Sequence, residues 1–332
     1  MKLAESKLRR IISSEIKSVL SEKNYSLRFL LEENDSVAKS SEKKSVNWET
    51  GYESFITALK RNVTSRKVKA FIAAGKLDGN PNDDKFKFSQ TSVNVSDLIP
   101  MQNEIDTKSS LRYSLKNPDK FQMYVKSTGP FSPGDKPIVI FNDKYIIDGH
   151  HRWAELYCCN KDASIECINA QIGGLEPLDV LKAVQAAIAV QSGEVRTETV
   201  DGINLLTIDD QSLDSYLDKN ITDQFVIAIE NDLDVLEKIN ASDDTLQSIK
   251  DHIVSNVEQM KNMSQPIAGA PTRGFMPQTS NINWEKPLAA GIIDIVAPHA
   301  SNDALEKVAE NKITKNQSII LERWHKIAGL IS

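Results

Sequence analysis

The chain has 332 residues, of which 40% are hydrophobic and 26% charged, enough for about two domains, since single cores usually stop near 100–200 residues. This balance excludes a wholly disordered or collagen-like chain, and no apolar run reaches the roughly 18 residues of a membrane-spanning helix. The net charge of −6 excludes a surface that is basic throughout, as a chain gripping nucleic acid over its whole surface requires. The charge is uneven: residues 1–75 hold fifteen Lys and Arg against nine Asp and Glu, net +6, whereas residues 201–260 hold three against fourteen, net −11. Any polyanion contact therefore belongs to the first part. The basic start, which also contains Glu, has no signal-peptide apolar centre, so the expected location is the cytoplasm.

Residues 1–32 open with an amphipathic helix in which Leu3, Leu8, Ile11, Ile12, Ile16, Val19 and Leu20 recur at helical spacing and Lys and Arg fill the other face. Such a face can lie on a membrane or carry a targeting address, but the expectation is that it packs on a protein partner or on the chain's own body. Residues 33–47, rich in Asn, Asp, Ser, Lys and Glu, read as a linker. A basic helical region is expected over 48–90, with Trp48, Tyr52, Phe55, Ile56 and Leu59 on one helix and Val68, Phe71 and Ile72 on a second. Lys60, Arg61, Arg66, Lys67 and Lys69 gather at their junction, which is expected to be a solvated face, with DNA or RNA backbone as the alternative partner.

Residues 91–172 alternate short β-branched runs with helical ones and define the fold class, α+β. Val93, Val95, Leu98 and Ile99 predict a strand that Pro100 ends or confines to a sheet edge. Residues 137–141 and 144–147 flank Asn142-Asp143 as a tight hairpin; 150–159 read as a helix and 164–170 as a strand. The apolar spacing of Leu175, Leu178, Leu181, Val184 and Ile188, with Gly193 as a stop, predicts a helix over 175–190. A further strand is expected at 203–207. Acidic, mostly helical sequence occupies the rest of 173–263, including a helix start at Ser242–Thr245. Four Pro and three Gly make 264–291 a connector, in which Arg273 and Phe275 are candidates for a lid. The region 292–332 closes the chain, with a helix expected near 302–329. Cys158, Cys159 and Cys167 fit neither a disulfide framework nor a four-ligand zinc site and are expected to be reduced and buried.

The chemistry concentrates in Ile146-Ile147-Asp148-Gly149-His150-His151-Arg152. A strand running through Asp-Gly into a helix presents free helix N–H groups and the positive end of the helix dipole, an anion-binding geometry. Gly149 lets an anion approach the backbone, and His150, His151 and Arg152 add donors for phosphate oxygens.

These residues resemble the ParB/sulfiredoxin superfamily, also labelled ParB-like nuclease domains, whose hallmark is a strand, a Gly-x-x-Arg or Gly-x-His-Arg turn and a helix that hold nucleotide phosphates. Sulfiredoxins carry a catalytic Cys where His150 stands, and ParB turns read Gly-Glu-Arg-Arg, of which Gly149 and Arg152 match. The closest resemblance is to the ADP-dependent free serine kinase branch, with its Asp-Gly-His-x-Arg turn, matched by Asp148, Gly149, His150 and Arg152. That branch has a Pro-x-x-Glu-like segment supplying an acidic catalytic residue. Pro100-Met101-Gln102-Asn103-Glu104 looks similar, and the resemblance, covering about eighty residues, makes Glu104 the candidate base. It also implies a small ParB/sulfiredoxin-like mixed sheet-and-helix core flanked by mainly helical regions. The start Met1–Ile12 looks like N-termini common among proteins of large tailed phages.

The expected function is nucleotide-phosphate binding with phosphotransfer or nucleotide hydrolysis. Glu104 deprotonates a hydroxyl of a small-molecule or protein acceptor, or a water, while Gly149, His150, His151, Arg152 and Lys108 hold the phosphate and His150 and His151 act in catalysis. Mg²⁺ is expected with ATP, ADP or another nucleotide, with Asp148 or Glu104 as ligand, although Asp148 is equally suited to capping the helix. A ParB-like nuclease or DNA-binding protein is the alternative. A phage structural or assembly protein with a vestigial module, associated with the virion, is the third reading.

Overall fold

The computed structural model describes residues 51–62, 85–195, 197, 202–279 and 282–290. The chain divides into two compact units, Met1–Lys43 and Lys44–Ser332, and every described residue belongs to the second. The expected N-terminal helix, the linker, the second basic helix with Arg66, Lys67 and Lys69, and the last helix lie outside the described residues.

A five-stranded mixed sheet organises the unit: β1 (Lys87–Asn94), β2 (Ile99–Pro100), β3 (Ile138–Phe141), β4 (Tyr145–Asp148) and β5 (Ser164–Gln171), in the order β1-β5-β3-β4-β2. The strand read through Val93 to Ile99 is broken, because Val95–Asp97 turns as a 3₁₀ helix and sends β1 and β2 to opposite edges. Pro100 lacks an N–H, so an edge suits it, and β2 pairs parallel with β4 there. β3 and β4 form the expected antiparallel hairpin. Asn142 and Asp143 both adopt positive φ, 48° and 58°, which the twist of a two-residue turn demands. Asn169, buried on β5, accepts the Asp143 N–H and donates to its carboxylate at 3.1 and 2.7 Å, fixing the turn against the sheet.

β3 is buried along its whole length because its alternating side chains enter two different cores. Val139 and Phe141 face a core closed by α1 (Tyr52–Asn62), α5 (Pro177–Ser192) and α10 (Glu285–Ala289), through residues such as Phe55, Ile56, Val184 and Leu288. Ile138 and Ile140 face the second core, shared with α2 (Thr107–Lys116), α3 (Pro118–Lys126) and α4 (His150–Cys159). The acidic helices α6 (Asp210–Asn220), α7 (Asp223–Glu230), α8 (Leu233–Lys238) and α9 (Thr245–Met263) join that same core through Leu213, Phe225, Val235 and Ile253. Asp244 begins α9 by accepting the Gln247 N–H. Lys250 of α9 reaches Asp214 and Asp218 of α6, each at 2.7 Å.

α4 is the central helix. Trp153 is fully buried and donates its indole N–H to the Val95 carbonyl at 2.8 Å, so its polar tip is satisfied in an apolar site. At the far end of α4, Asn256 and His252 of α9 donate to the Cys158 and Cys159 carbonyls at 3.0 and 2.7 Å, supplying partners a helix end lacks. Cys158, Cys159 and Cys167 are free and buried, as their number and spacing predict. No helix among the described residues is long and apolar enough to cross a membrane.

One expectation changes. Residues 203–207 make an isolated bridge, Asp106 with Asn204, and a turn rather than a strand; the Asn204 side chain takes over strand-like bonding by accepting the Ile105 N–H and donating to the Asn103 carbonyl. The connector carries structure of its own. It contains the 3₁₀ turn Arg273–Phe275 and α10, and it packs against α1 and the 100–106 segment.

Glu155 of α4 is 6% exposed, and one of its carboxylate oxygens has no partner among the described residues. Burial pushes its carboxyl up to about 7, although Lys120 pulls the other way. The folded chain thus keeps a proton that the unfolded chain gives up near pH 4.5, and stability falls as pH rises from 4.5 through 7. Glu155→Gln, neutral at every pH, is expected to gain up to roughly 3 kcal/mol at pH 8 and little at pH 4. Urea unfolding at the two pH values checks it; equal effects at both would show that Glu155 ionises normally.

Candidate functional site

The Asp-Gly-His-His-Arg turn stands where β4 leaves the sheet and α4 begins. Gly149 is the N-cap, in the left-handed region at φ 98°, so the capping role open to Asp148 falls to its neighbour. A side chain at Gly149 would put its Cβ 2.5 Å from Ile138 Cγ2 and 3.0 Å from an Arg152 guanidinium nitrogen. The glycine therefore admits Ile138 and Arg152, and the space beside its Cα is filled by protein.

The two histidines of the turn hold the 100–106 segment, and Arg152 and Asp148 hold two others. His150 is 3% exposed, and its Nε2 accepts the Met101 N–H at 3.2 Å. His151 Nε2 accepts the Asp106 N–H at 3.3 Å. A ring nitrogen that accepts carries no proton, so both imidazoles are neutral and protonated at Nδ1. Burial, then the repulsion that protonating both neighbouring rings would create, pushes His150 down to about 3, against a bond to the Ile146 backbone. Burial and Arg273 push His151 down to about 4, against the pull of Asp106. Arg152 donates to the carbonyls of Lys136 and Pro137, the latter at 3.2 Å. Burial lowers its pKa while Asp148 supports its charge. The Asp148 carboxylate accepts the Thr279 hydroxyl.

Residues 100–106 are thus suspended over the turn, with Glu104 between two anchor points. The connector crosses the same segment as a strap. Asn103 donates to the Pro271 and Ala270 carbonyls at 3.0 Å each, the Ile267 N–H reaches the Pro100 carbonyl at 3.3 Å, and the Arg273 N–H reaches Glu104 Oε2 at 3.3 Å. Tyr52 of α1 donates to the Phe275 carbonyl at 3.1 Å, and Glu53 accepts from Thr272. Arg273 and Phe275, candidates for a lid, belong to this strap, and Arg273 reaches into the site.

Beyond Asp106 opens a cleft of about 530 Å³, lined by Asp106, Thr107, Lys108, Ser109, Arg112, Gly202, Ile203, Tyr216 and Arg273. Asp106 caps α2, accepting the Ser109 N–H at 2.8 Å and the Ser109 hydroxyl, and lies 3.9 Å from Arg273 Nη1. Burial alone would raise its carboxyl; the Ser109 bonds and the Arg273 charge outweigh that and hold it below the ordinary carboxylate range. Lys108 and Arg112 stand four residues apart on α2, hence on one face. Three cations face one carboxylate at the N-terminal end of a ten-residue helix, which favours an anion.

Of the residues expected from the sequence, the structure brings Glu104, His150 and His151 together through the 100–106 segment and places Lys108 in the cleft. It sets His150 and Arg152 inward, on backbone partners. Arg112, Gly202, Ile203 and Tyr216 escape sequence reasoning, because they come from three separated segments; the four-residue spacing of Lys108 and Arg112 was the one local signal. Among the described residues no group of three or more His, Cys, Asp or Glu can hold a metal. Asp148 does not fit a resident Mg²⁺, since its carboxylate serves the Thr279 hydroxyl and lies beside the Arg152 cation.

No protein-family model, curated protein or solved structure matches the chain.

The neutral imidazoles give a pH dependence of opposite sign to that of Glu155. The unfolded chain protonates both rings near pH 6.5 while the folded chain does not, so their contribution is complete above that pH and is lost on acidification toward 4 and 3. The His150→Gln, His151→Gln double variant is expected to be less stable at pH 7.5 and to lose at least about 1 kcal/mol less than the parent between pH 7.5 and 5. Glu155 adds the same background to both proteins. Denaturant midpoints at the two pH values measure the difference, and parallel losses would mean that the rings are ordinary surface histidines.

Proposed function

We propose that this protein binds a nucleotide through its phosphates in the cleft beside the Asp-Gly-His-His-Arg turn, and that it is a ParB/sulfiredoxin-like phosphotransferase or nucleotide hydrolase. The observation that carries the reading is the convergence of Lys108, Arg112 and Arg273 with Ser109 on one cleft. A phosphate there meets charge-assisted donors, with the guanidinium groups able to bind it in a bidentate way. The strand-turn-helix succession and the edge strand ending at Pro100 support the likeness to the ParB/sulfiredoxin core.

In this reading the turn supports the site and the cleft receives the ligand. His150 and His151 position the 101–106 segment, and Arg152 and Asp148 fix the neighbouring loop and strap. Glu104 is the base. It accepts the Arg273 backbone N–H and takes the proton of an attacking hydroxyl or water as the new O–P bond forms and the bond to the rest of the nucleotide breaks, while Lys108, Arg112 and Arg273 neutralise the charge on the transferring phosphoryl group and on the departing phosphate or nucleotide. No residue of the site is assigned to a resident Mg²⁺; one brought by the nucleotide would add to the neutralisation of its phosphates.

A thermal-shift screen of the full chain against ATP, ADP, CTP and GTP, with and without Mg²⁺, tests the reading. A ligand that binds only the folded state stabilises it by roughly 2.7 kcal/mol at a hundredfold excess over Kd. At least one nucleotide is expected to raise Tm, and Arg112→Ala with Arg273→Ala is expected to abolish the shift. Glu104→Gln is expected to keep the shift and lose turnover. No shift with any nucleotide, together with salt-sensitive retention on DNA, would move the function to nucleic-acid binding.

A further inference from the structure

Two of the residues lining the cleft have no use for a bare phosphate. Ile203 is 55% exposed, yet it is not a loose side chain. Its carbonyl accepts both the Thr107 N–H at 2.8 Å and the Thr107 hydroxyl at 2.7 Å, and the bridge between Asp106 and Asn204 fixes the next residue. Gly202 completes the placement, because a Cβ there would lie 2.3 Å from Asp106 Oδ1. Only a glycine brings this segment so close to α2, and Ile203 is held at the lip of the cleft as a result.

Tyr216 of α6 lines the cleft with Ile203. Its hydroxyl is buried and has no protein partner among the described residues. Burial raises the phenol's pKa, the Asp106 charge adds to the rise and Arg112 opposes it. The group is therefore a protonated phenol under the influence of both flanking charges, an O–H donor in want of an acceptor. The cleft thus has a cationic side formed by Lys108, Arg112 and Arg273 and an apolar side formed by Ile203 and the Tyr216 ring.

From this polarity we infer that the ligand is a single nucleoside phosphate whose nucleoside lies against Ile203 and Tyr216 while its phosphates lie on Lys108, Arg112 and Arg273. The inference rests on the phosphate-binding reading above and adds the part of the ligand that reading leaves open. A cleft of about 530 Å³ falls within the roughly 300–1,000 Å³ of small-molecule sites. The nucleobase covers the Ile203 side chain, and every base has a face that packs on an aromatic ring. The phenol O–H donates to a ribose hydroxyl. A polynucleotide has no comparable fit, because its continuing backbone would meet the acidic helices that build the Tyr216 wall, in a region of net charge −11.

The test compares Kd for ADP, inorganic pyrophosphate and a ten-nucleotide oligothymidylate by calorimetry on the full chain, with Ile203→Ser and Tyr216→Phe as variants. Ile203 is exposed, and Tyr216→Phe removes a single oxygen, so both variants keep the fold, which circular dichroism verifies. ADP is expected to bind at least tenfold more tightly than pyrophosphate. Ile203→Ser is expected to weaken ADP several-fold and leave pyrophosphate unchanged; Tyr216→Phe is expected to weaken ADP also. Equal affinities for ADP and pyrophosphate, unmoved by either variant, would overturn the nucleoside wall and leave the phosphate site standing. An oligonucleotide binding more tightly than ADP would overturn the single-nucleotide ligand. Binding of none of the three would remove the phosphate reading itself.

Discussion

Two imidazole nitrogens accepting two backbone N–H groups determine where everything else in the site can lie. His150 and His151 project from the first turn of α4 and take the N–H groups of Met101 and Asp106, so a loop between an edge strand and a helix becomes part of the strand-turn-helix junction. Asp106 then caps α2, α2 presents Lys108 and Arg112, and Asp106 faces Arg273 of the strap. The clamp requires neutral rings, because an imidazolium has no lone pair to offer an N–H. Burial supplies that condition.

The division of labour follows from this requirement. A histidine that accepts a backbone N–H at Nε2 is not also a cationic phosphate donor, and Arg152 commits both N–H groups of Nη1 to the Lys136 and Pro137 carbonyls. The cluster that looks like a phosphate grip therefore works as a joint, and the cationic groups lie one step away in the cleft. The strap completes the arrangement from the opposite side, since Thr279, Arg273 and Thr272 meet Asp148, Glu104 and Glu53 in turn. Each carboxylate around the turn is thereby given a hydrogen-bond donor from one continuous segment.

Much of the scaffold is legible in the sequence, for local reasons. Asn142-Asp143 between two apolar runs can only be a tight turn, Pro100 confines its strand to an edge, and Asp148-Gly149 marks the passage from strand to helix. The buried free cysteines follow from their number and spacing. The cleft is illegible for the converse reason: Arg112, Ile203, Tyr216 and Arg273 are ordinary in their own segments, and only the packing of α2, α6, the 202–206 turn and the strap brings them together. The strap itself shows no periodicity because much of its hold runs through backbone groups, which any sequence supplies, and its buried side chains, Met276, Trp284 and Leu288, fall at irregular spacing. The strand expected at 203–207 arises from the alternation of Ile203 and Leu205, a pattern that the chain uses instead to put one residue at the cleft and the other in the core.

The central claim is that the turn supports and the cleft binds, and the histidine rings report on it directly. Long-range nitrogen–proton NMR correlations on ¹⁵N-histidine-labelled protein, with and without saturating ADP, distinguish the ring states of His150 and His151. Both rings are expected to stay neutral and protonated at Nδ1 in the free and bound chain at pH 7, while the guanidinium Nε signals of Arg112 and Arg273 move on binding. Conversion of either ring to imidazolium when ADP binds would place the phosphate on the turn and contradict the account.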